Sequence, residues 1–311
     1  MVALTARSPL RRARRTEAAI DAAIAADGGA RFRELQRKWF PTIEDAYRGE
    51  DEDPFRSHLG ASQIGRKCVR EIWLGWRWTG VKEFPPRMLR LMNRGHLEEA
   101  RFLALMEMIG VHLSIPEDGG QERISDHGGH YGSALDAVMY GLPDAPEQWA
   151  LGEFKTHNTK SFVKLVAEGV AVAKPEHYSQ MQSCMARRGI PLCLYVAVNK
   201  NDDDLYCELV ALDQPAAAAI SAKAQDIITR RNAPPRISED PSYMDCKWCD
   251  RAAVCHFPDR QPVLRNCRTC RHSVADLGGL WGCELHQHVL DKKAQLKGCD
   301  QHDPIPDLTK R

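Results

Sequence analysis

Seven of the eleven cysteines in this chain lie between Cys246 and Cys299. So short a segment cannot bury enough apolar surface to hold itself together, and small units of this kind need a staple. Disulfides are rare in reducing compartments, so clustered cysteines in an intracellular chain favour metal. Cys267 and Cys270 form a close pair, with Cys283 and Cys299 following, which is the pattern of a Cys₄ structural zinc site. His272, His286 and His302 are substitute ligands. The preceding group, Cys246-x2-Cys249-x5-Cys255, lacks a fourth ligand of its own. His256 would complete a Cys₃His zinc site, and Cys68, far upstream, is the other candidate. Cys184, Cys193 and Cys207 sit in apolar surroundings and read as inert buried thiols.

Charge narrows the partners. With 43 Lys+Arg against 42 Asp+Glu there is no global field to attract a polyanion, so nucleic-acid binding requires a local basic groove. The arginines Arg7, Arg11, Arg12, Arg14 and Arg15 precede no apolar stretch, unlike a secretory signal. No apolar run is long enough to span a bilayer, so the expectation is a soluble, intracellular protein without a membrane partner.

Along the chain, "TEAAIDAAIAAD" (16 to 27) reads as a helix capped by Thr16, and 31 to 48 as one or two more. "GEDEDP" (49 to 54) reads as an acidic linker, and a helix is expected from about Ser62 through Cys68. From Pro86 to Ile109 the residues Leu89, Met92, Leu97, Phe102, Leu105, Met106 and Ile109 mark a helical stripe. The period then changes. "VHLSI", "HYGSALDAVMYG" and "QWALGEFKT" read as strands, the last two separated by a turn at "GLPDAPEQ". A helix from about Glu176 to Arg188, strands "LCLYVAVNK" and "LYCELVAL", and a helix from about Gln214 to Arg231 follow. This order defines a mixed α/β sheet domain. "NAPPRISEDPS" (232 to 242) links it to the cysteine-rich end.

Within "GEFKTHN" (152 to 158), Glu153 and Lys155 share one face of a strand, because strand side chains alternate. Alone, such a pair is an ordinary same-face ion pair. Asp136 on the preceding strand changes the reading, since a hairpin would bring both carboxylates to one end of the sheet. Two carboxylates and a carbonyl, that of Phe154, suit Mg²⁺ or Mn²⁺ and leave positions for water and phosphate. Lys155 would then orient or help deprotonate the attacking water.

Asp, a variable gap, then Glu-x-Lys resembles the PD-(D/E)xK nuclease superfamily, with Leu135 standing where the motif has proline. "RGHLEEARFLALMEMIG" (94 to 110) is similar to the first helical motif of RecB-like and lambda-exonuclease-like (YqaJ-type) members, where a His or Glu completes the metal site. His96 and Glu99 are the candidates here, three apart on one helical face, with Glu98 a third. "KPEHYSQMQSCMARRG" (174 to 189), with Tyr178, Gln180 and Gln182, resembles the later helix of the phage exonucleases, in which Gln180 would help position the active site. Lys160, Lys164, Lys174, Arg187 and Lys200 are candidates to follow the phosphates. Cys68 with Cys246, Cys249 and Cys255 resembles the iron–sulfur staple of RecB-like nucleases, which implies a 4Fe–4S cluster.

The resemblance spans residues 62 to 256. It implies a restriction-endonuclease-like α/β core, a mixed central sheet flanked by helices, with N-terminal helices and a small C-terminal metal-binding module. The implied domains are 1–60 (helical), 61–262 (nuclease, closed by the cluster) and 263–311 (zinc-binding tail). It further implies a metal-dependent DNA exonuclease of phage or prophage type in the bacterial cytoplasm. DNA is the implied partner, and a recombinase or single-strand-binding protein is left open as a further one. A non-catalytic DNA- or partner-binding protein, and an endonuclease or CRISPR-adaptation nuclease, are the alternatives.

Overall fold

The computed structural model describes residues 11–42, 55–116, 121–259 and 263–309. The expected linker at 49 to 54 and the end of the second helical stretch, 43 to 48, lie outside them. In chain order the first helices are α1 (Arg14–Asp27), α2 (Ala30–Trp39), α3 (Ala61–Ile64), α4 (Val69–Trp76) and α5 (Pro86–Met108). They are followed by α6 (Thr159–Glu168), α7 (Val170–Ala173), α8 (Pro175–Arg188), α9 (Gln214–Thr229), α10 (Met244–Lys247), α11 (Ala252–His256) and α12 (Lys292–Lys297). Strands β1 (Leu59–Gly60), β2 (His112–Ser114), β3 (Arg123–Asp126), β4 (Tyr131–Ala134), β5 (Ala137–Leu142) and β6 (Ala145–His157) come first. Then come β7 (Leu192–Asn199), β8 (Leu205–Ala211), β9 (Ser273–Ala275), β10 (Trp281–Cys283) and β11 (His288–Val289). None of the described helices is long and apolar enough to cross a membrane.

The chain forms two compact units, each assembled from separated stretches. The first comprises Met1–Arg48, Pro86–Arg123 and Ala134–Gln214, and the second Gly49–Pro85, Ile124–Ser133 and Pro215–Arg311.

The first unit is a mixed sheet flanked by helices. Its five strands run in the order β2-β5-β6-β7-β8. Only the β6–β7 pair is parallel; the other three are antiparallel. A parallel pair needs a crossover, and α6, α7 and α8 supply it. On one face Phe154 meets Phe102 of α5 with ring centroids 5.2 Å apart, in a core with Met106, Met139, Leu194 and Val196. The α5 stripe is real in its second half only. The buried residues of α5 begin at Glu98, whereas Leu97 is 43% exposed. The spacing of apolar residues gave the helix correctly but could not say how much of its length meets the sheet.

Two local expectations are corrected. Thr16 does not cap α1, whose N-cap is Ala13. It lies within the helix, fully buried, and both its backbone N–H and its hydroxyl donate to Asp144 Oδ2, at 2.7 and 2.8 Å. Asp144 belongs to the β5–β6 turn, which is shorter than "GLPDAPEQ" suggests because β6 already begins at Ala145. A bulge at Gly141, whose φ of 90° favours glycine, completes that turn. Replacing Asp144 by alanine strands two donors in a dry setting and is expected to destabilise the unit by about 1–3 kcal/mol, read from the urea unfolding midpoint. The second correction concerns Cys68, which does not continue a helix from Ser62. The chain breaks after Ile64, and Cys68 is the N-cap of α4, its Sγ accepting from Glu71 N.

The second unit has two three-stranded sheets, β1-β4-β3 and β11-β10-β9. Its core joins Trp73 and Trp76 of α4 and Ile227 and Ile228 of α9 to Trp281, Leu290, Ile305 and Leu308. The cysteine-rich C-terminal stretch therefore contributes directly to this core. Arg268, 2% exposed, lies 3.7 Å over the Trp78 ring and 4.5 Å over that of Trp281. Its guanidinium donates to Gln295 Oε1, Trp76 O and Ser57 O. Neutral acceptors and aromatic faces thus accommodate a buried cation.

Candidate functional site

The register of β5 against β6 sets the site. Ala137 pairs with Gly152, so Asp136, the residue before β5, comes beside Glu153 at the end of the hairpin. Phe154 N donates to Asp136 Oδ2 at 2.8 Å, which fixes the carboxylate over the strand. Lys155 returns its ammonium to the same place. It donates to Phe154 O at 3.0 Å, lies 3.5 Å from Asp136 Oδ2, and forms a close ion pair with Glu153 Oε1. Two carboxylates and one carbonyl thus converge on one cation.

The electrostatics are unbalanced. Glu153 is 5% exposed, and burial pushes its carboxyl up; Lys155 opposes that rise and Asp136 adds to it. Burial works to lower the Lys155 ammonium, but Glu153 and Asp136 outweigh it and hold the group well above its usual range. One ammonium faces two carboxylates, and Glu153 Oε1 accepts no well-directed hydrogen bond beyond its ion pair. The oxygen set is therefore suited to more positive charge than a single lysine brings. A divalent cation of the hard, oxygen-preferring kind fits it.

The helix residues are placed less directly. Glu99 accepts from Gln121 Nε2 at 3.2 Å, and Gln121 lines the same cleft as Asp136. Glu98 is buried and pairs with Arg101, while His96 is half-buried on the same helix. Among the described residues no three His, Cys, Asp or Glu side chains stand together as a metal-holding group. Gln180 is buried on α8. Gln182 has a structural task, donating to Ala211 O and accepting from Asp213 N, which ties α8 to the end of β8.

The alternation that pairs Glu153 with Lys155 runs on to His157, a residue the sequence reading passed over. His157 Nε2 lies 2.9 Å from Tyr195 Oη, and His177 Nδ1 of α8 is also 2.9 Å from that hydroxyl. Tyr195 pairs with Glu153 across the parallel β6–β7 ladder. Burial, then Lys174, Lys155 and Lys200, push His157 down to about 4, and burial first and Lys155 next push His177 down further. Both rings are neutral near pH 7. A period-two count through residue 157 was the available signal; the contribution of Tyr195 required the strand register.

In the second unit Cys68, Cys246, Cys249 and Cys255 line one pocket, together with His256. Burial pushes the Cys249 thiol up to about 12, and the nearby Cys68 and Cys255 add to the rise. Cys267, Cys270, Cys283 and Cys299 form a second group: burial and then Cys299, Cys270 and Cys283 push Cys267 up to about 11. Several of these thiols hydrogen-bond to backbone, as Cys249 accepts from Arg251 N, Cys283 accepts from His286 N and Cys267 donates to Ala294 O. Among the described residues neither set is drawn together as a metal-holding group, although four thiols are the donor set that a cluster or a zinc ion takes. His256 also fits as a ligand in the first. Cys184, Cys193 and Cys207 are buried in the first unit, at 2%, 1% and 0% exposure; burial and then Glu153 raise the Cys193 thiol, and the nearby Cys184 adds to the rise.

No protein-family model matches the chain, and no curated protein matches it. Among solved structures it overlays on LHK-Exo, an alkaline exonuclease from Laribacter hongkongensis, with 21% identity, 55% of this chain and 86% of that chain covered, and a TM-score of 0.38. The complex of LHK-Exo with dAMP gives a TM-score of 0.39 at the same identity and coverage. SSO0001 overlays with 16% identity, 73% of this chain and 96% of that chain, and a TM-score of 0.40.

Proposed function

We propose that the first unit is a divalent-metal-dependent deoxyribonuclease, with Asp136, Glu153 and the Phe154 carbonyl holding Mg²⁺ or Mn²⁺. The observation that carries the proposal is the convergence of these three oxygens on one cationic position, where Lys155 alone undercompensates two carboxylates. When bound, the metal would supply Lewis-acid polarisation of a phosphodiester oxygen and activation of water. Asp136 is held in place for this by the Phe154 N–H. Lys155 is the cation that orients the attacking water and stabilises charge on the phosphoryl group. Buried Gln180 is proposed to position the site from α8.

The narrower form of the proposal is an exonuclease acting on duplex DNA ends in phage-type recombination or replication in the bacterial cytoplasm. It rests on the order of the motifs along the chain. The cysteine groups are proposed to hold a 4Fe–4S cluster (Cys68, Cys246, Cys249, Cys255) and a zinc ion (Cys267, Cys270, Cys283, Cys299), on the strength of their four-thiol sets.

Digestion of labelled DNA with Mg²⁺ or Mn²⁺ tests the activity. Linear duplex is expected to be degraded and covalently closed circles spared, with binding that weakens steeply as salt rises. Rapid linearisation of closed circles would replace the exonuclease by an endonuclease. Salt-sensitive binding with no cutting in either metal would leave only a DNA-binding protein.

A further inference from the structure

A group of polar side chains continues beyond Glu153 and Lys155 on the same sheet face. His157 lies one strand repeat, about 7 Å, from Lys155. Its Nε2 is fixed by the Tyr195 hydroxyl, and its Nδ1 lies 3.3 Å from Ser161 Oγ. Ser161 Oγ in turn accepts from the Lys174 ammonium, across the α6–α8 connection. Lys200 follows β7, and its N–H donates to the His157 carbonyl. The Arg94 guanidinium of α5 reaches the Lys200 carbonyl at 3.0 Å.

The charges here are unmatched. Most ion pairs in the protein join a cation to a nearby carboxylate, yet Lys174, Lys200 and Arg94 have no such partner among the described residues. Asp202, a neighbouring acid, is engaged by Asn199 Nδ2 at 2.7 Å and by the backbone N–H of Asp204 at 3.1 Å. The low proton affinity of His157 records the resulting field, since Lys174, Lys155 and Lys200 each lower it after burial. In a chain whose charges otherwise nearly cancel, this is a local basic rim beside the Asp136–Glu153 carboxylates.

We propose that Lys174, Ser161 and Lys200 form a subsite for a backbone phosphodiester of DNA, the one next to the linkage that is cut. The placement supports this assignment: Ser161 contacts His157, which stands one strand repeat, about 7 Å, beyond Lys155 on the same face, and Lys174 donates to Ser161. Ser161 presents a hydroxyl, Lys174 and Lys200 present charge, and the His157–Tyr195–His177 chain holds Ser161 from behind. The adjacency to the cut linkage rests on the nuclease reading; the phosphate contact itself does not.

Binding in EDTA, where no cutting occurs, separates the two. Fluorescent duplexes carrying a single neutral methylphosphonate at successive linkages near one end are titrated with the full-length protein. The neutral linkage is expected to weaken wild-type binding about tenfold at one position, and Lys174→Met to weaken binding of unmodified DNA by a similar factor while removing that penalty. The salt dependence of Lys174→Met should fall by about one phosphate contact. Lys200→Met serves as a second variant with the same expectation. A methylphosphonate penalty that persists at that position in both variants, or the lack of any such position in the wild type, overturns the subsite. Loss of the penalty in a protein that cuts DNA with neither Mg²⁺ nor Mn²⁺ upholds the phosphate contact and removes the nuclease. Metal-dependent cutting without any such coupling does the reverse.

Discussion

Substitution of Glu153 by glutamine or alanine is expected to abolish metal-dependent DNA cleavage, by on the order of a thousand-fold or more. Asp136→Ala and Lys155→Ala should do the same, but for different reasons that a binding measurement can separate. Glu153 and Asp136 are the anionic members of the oxygen set, so their loss should abolish Mn²⁺ binding as well as cutting. Lys155 reaches into that same set, its ammonium lying 3.0 Å from Phe154 O and 3.5 Å from Asp136 Oδ2. Lys155→Met should therefore keep or tighten Mn²⁺ binding while losing cleavage. Paramagnetic titration of Mn²⁺ reads the first quantity and digestion of linear duplex the second. Near-wild-type cutting by Glu153→Gln would remove the site assignment. Weakened Mn²⁺ binding in Lys155→Met would mean that the lysine supports the carboxylates and does not compete with the metal.

The legible parts of this protein are those governed by local periodicity. Helix α5, the β5–β6 hairpin and the shared face of Glu153 and Lys155 all follow from apolar spacing and strand alternation. What escaped depends on register and on partners distant in sequence. Thr16 looked like a cap because it precedes an alanine-rich run, and only its contact with Asp144 shows it to be an interior anchor. Cys68 looked like a helix interior residue, since "SQIGRKCVREIWLGW" carries no proline to mark the break after Ile64. Tyr195 reads as one more apolar strand residue in "LCLYVAVN" until the parallel register places it beside Glu153. The two units interleave three stretches each; the passage at Gly49 coincides with the acidic "GEDEDP", but no change of composition marks those after Arg123 and Ser133. Asp136, Glu153 and Lys155 could be found together because they lie on adjacent strands; Lys174 and Lys200 could be named only singly as phosphate candidates, because their meeting with Ser161 and Arg94 draws on α5, the α6–α8 connection and the end of β7.

Protein purified without oxygen is expected to be brown, with iron, acid-labile sulfide and roughly one zinc per chain. Cys68→Ser should lose the iron and sulfide and keep the zinc. The position of Cys68 makes this substitution unusually clean. As the N-cap of α4 it accepts from Glu71 N, and serine is itself a favoured N-cap, so the helix start should not suffer. A fall in stability then reports the lost cross-link. A cluster joining Cys68 to Cys246, Cys249 and Cys255 closes a loop that contains Asp136, Glu153 and Lys155, and closing so long a loop restricts the unfolded chain. On chain-entropy grounds the effect is about 5 kcal/mol, and a drop in melting temperature on the order of 10 °C should accompany the loss of colour. Cys283→Ser should lose zinc and leave the iron in place. A colourless protein containing two zinc ions, with a melting temperature indifferent to Cys68→Ser, would make Cys68 a capping thiol only. His256, which lines the same pocket, would then be the fourth ligand.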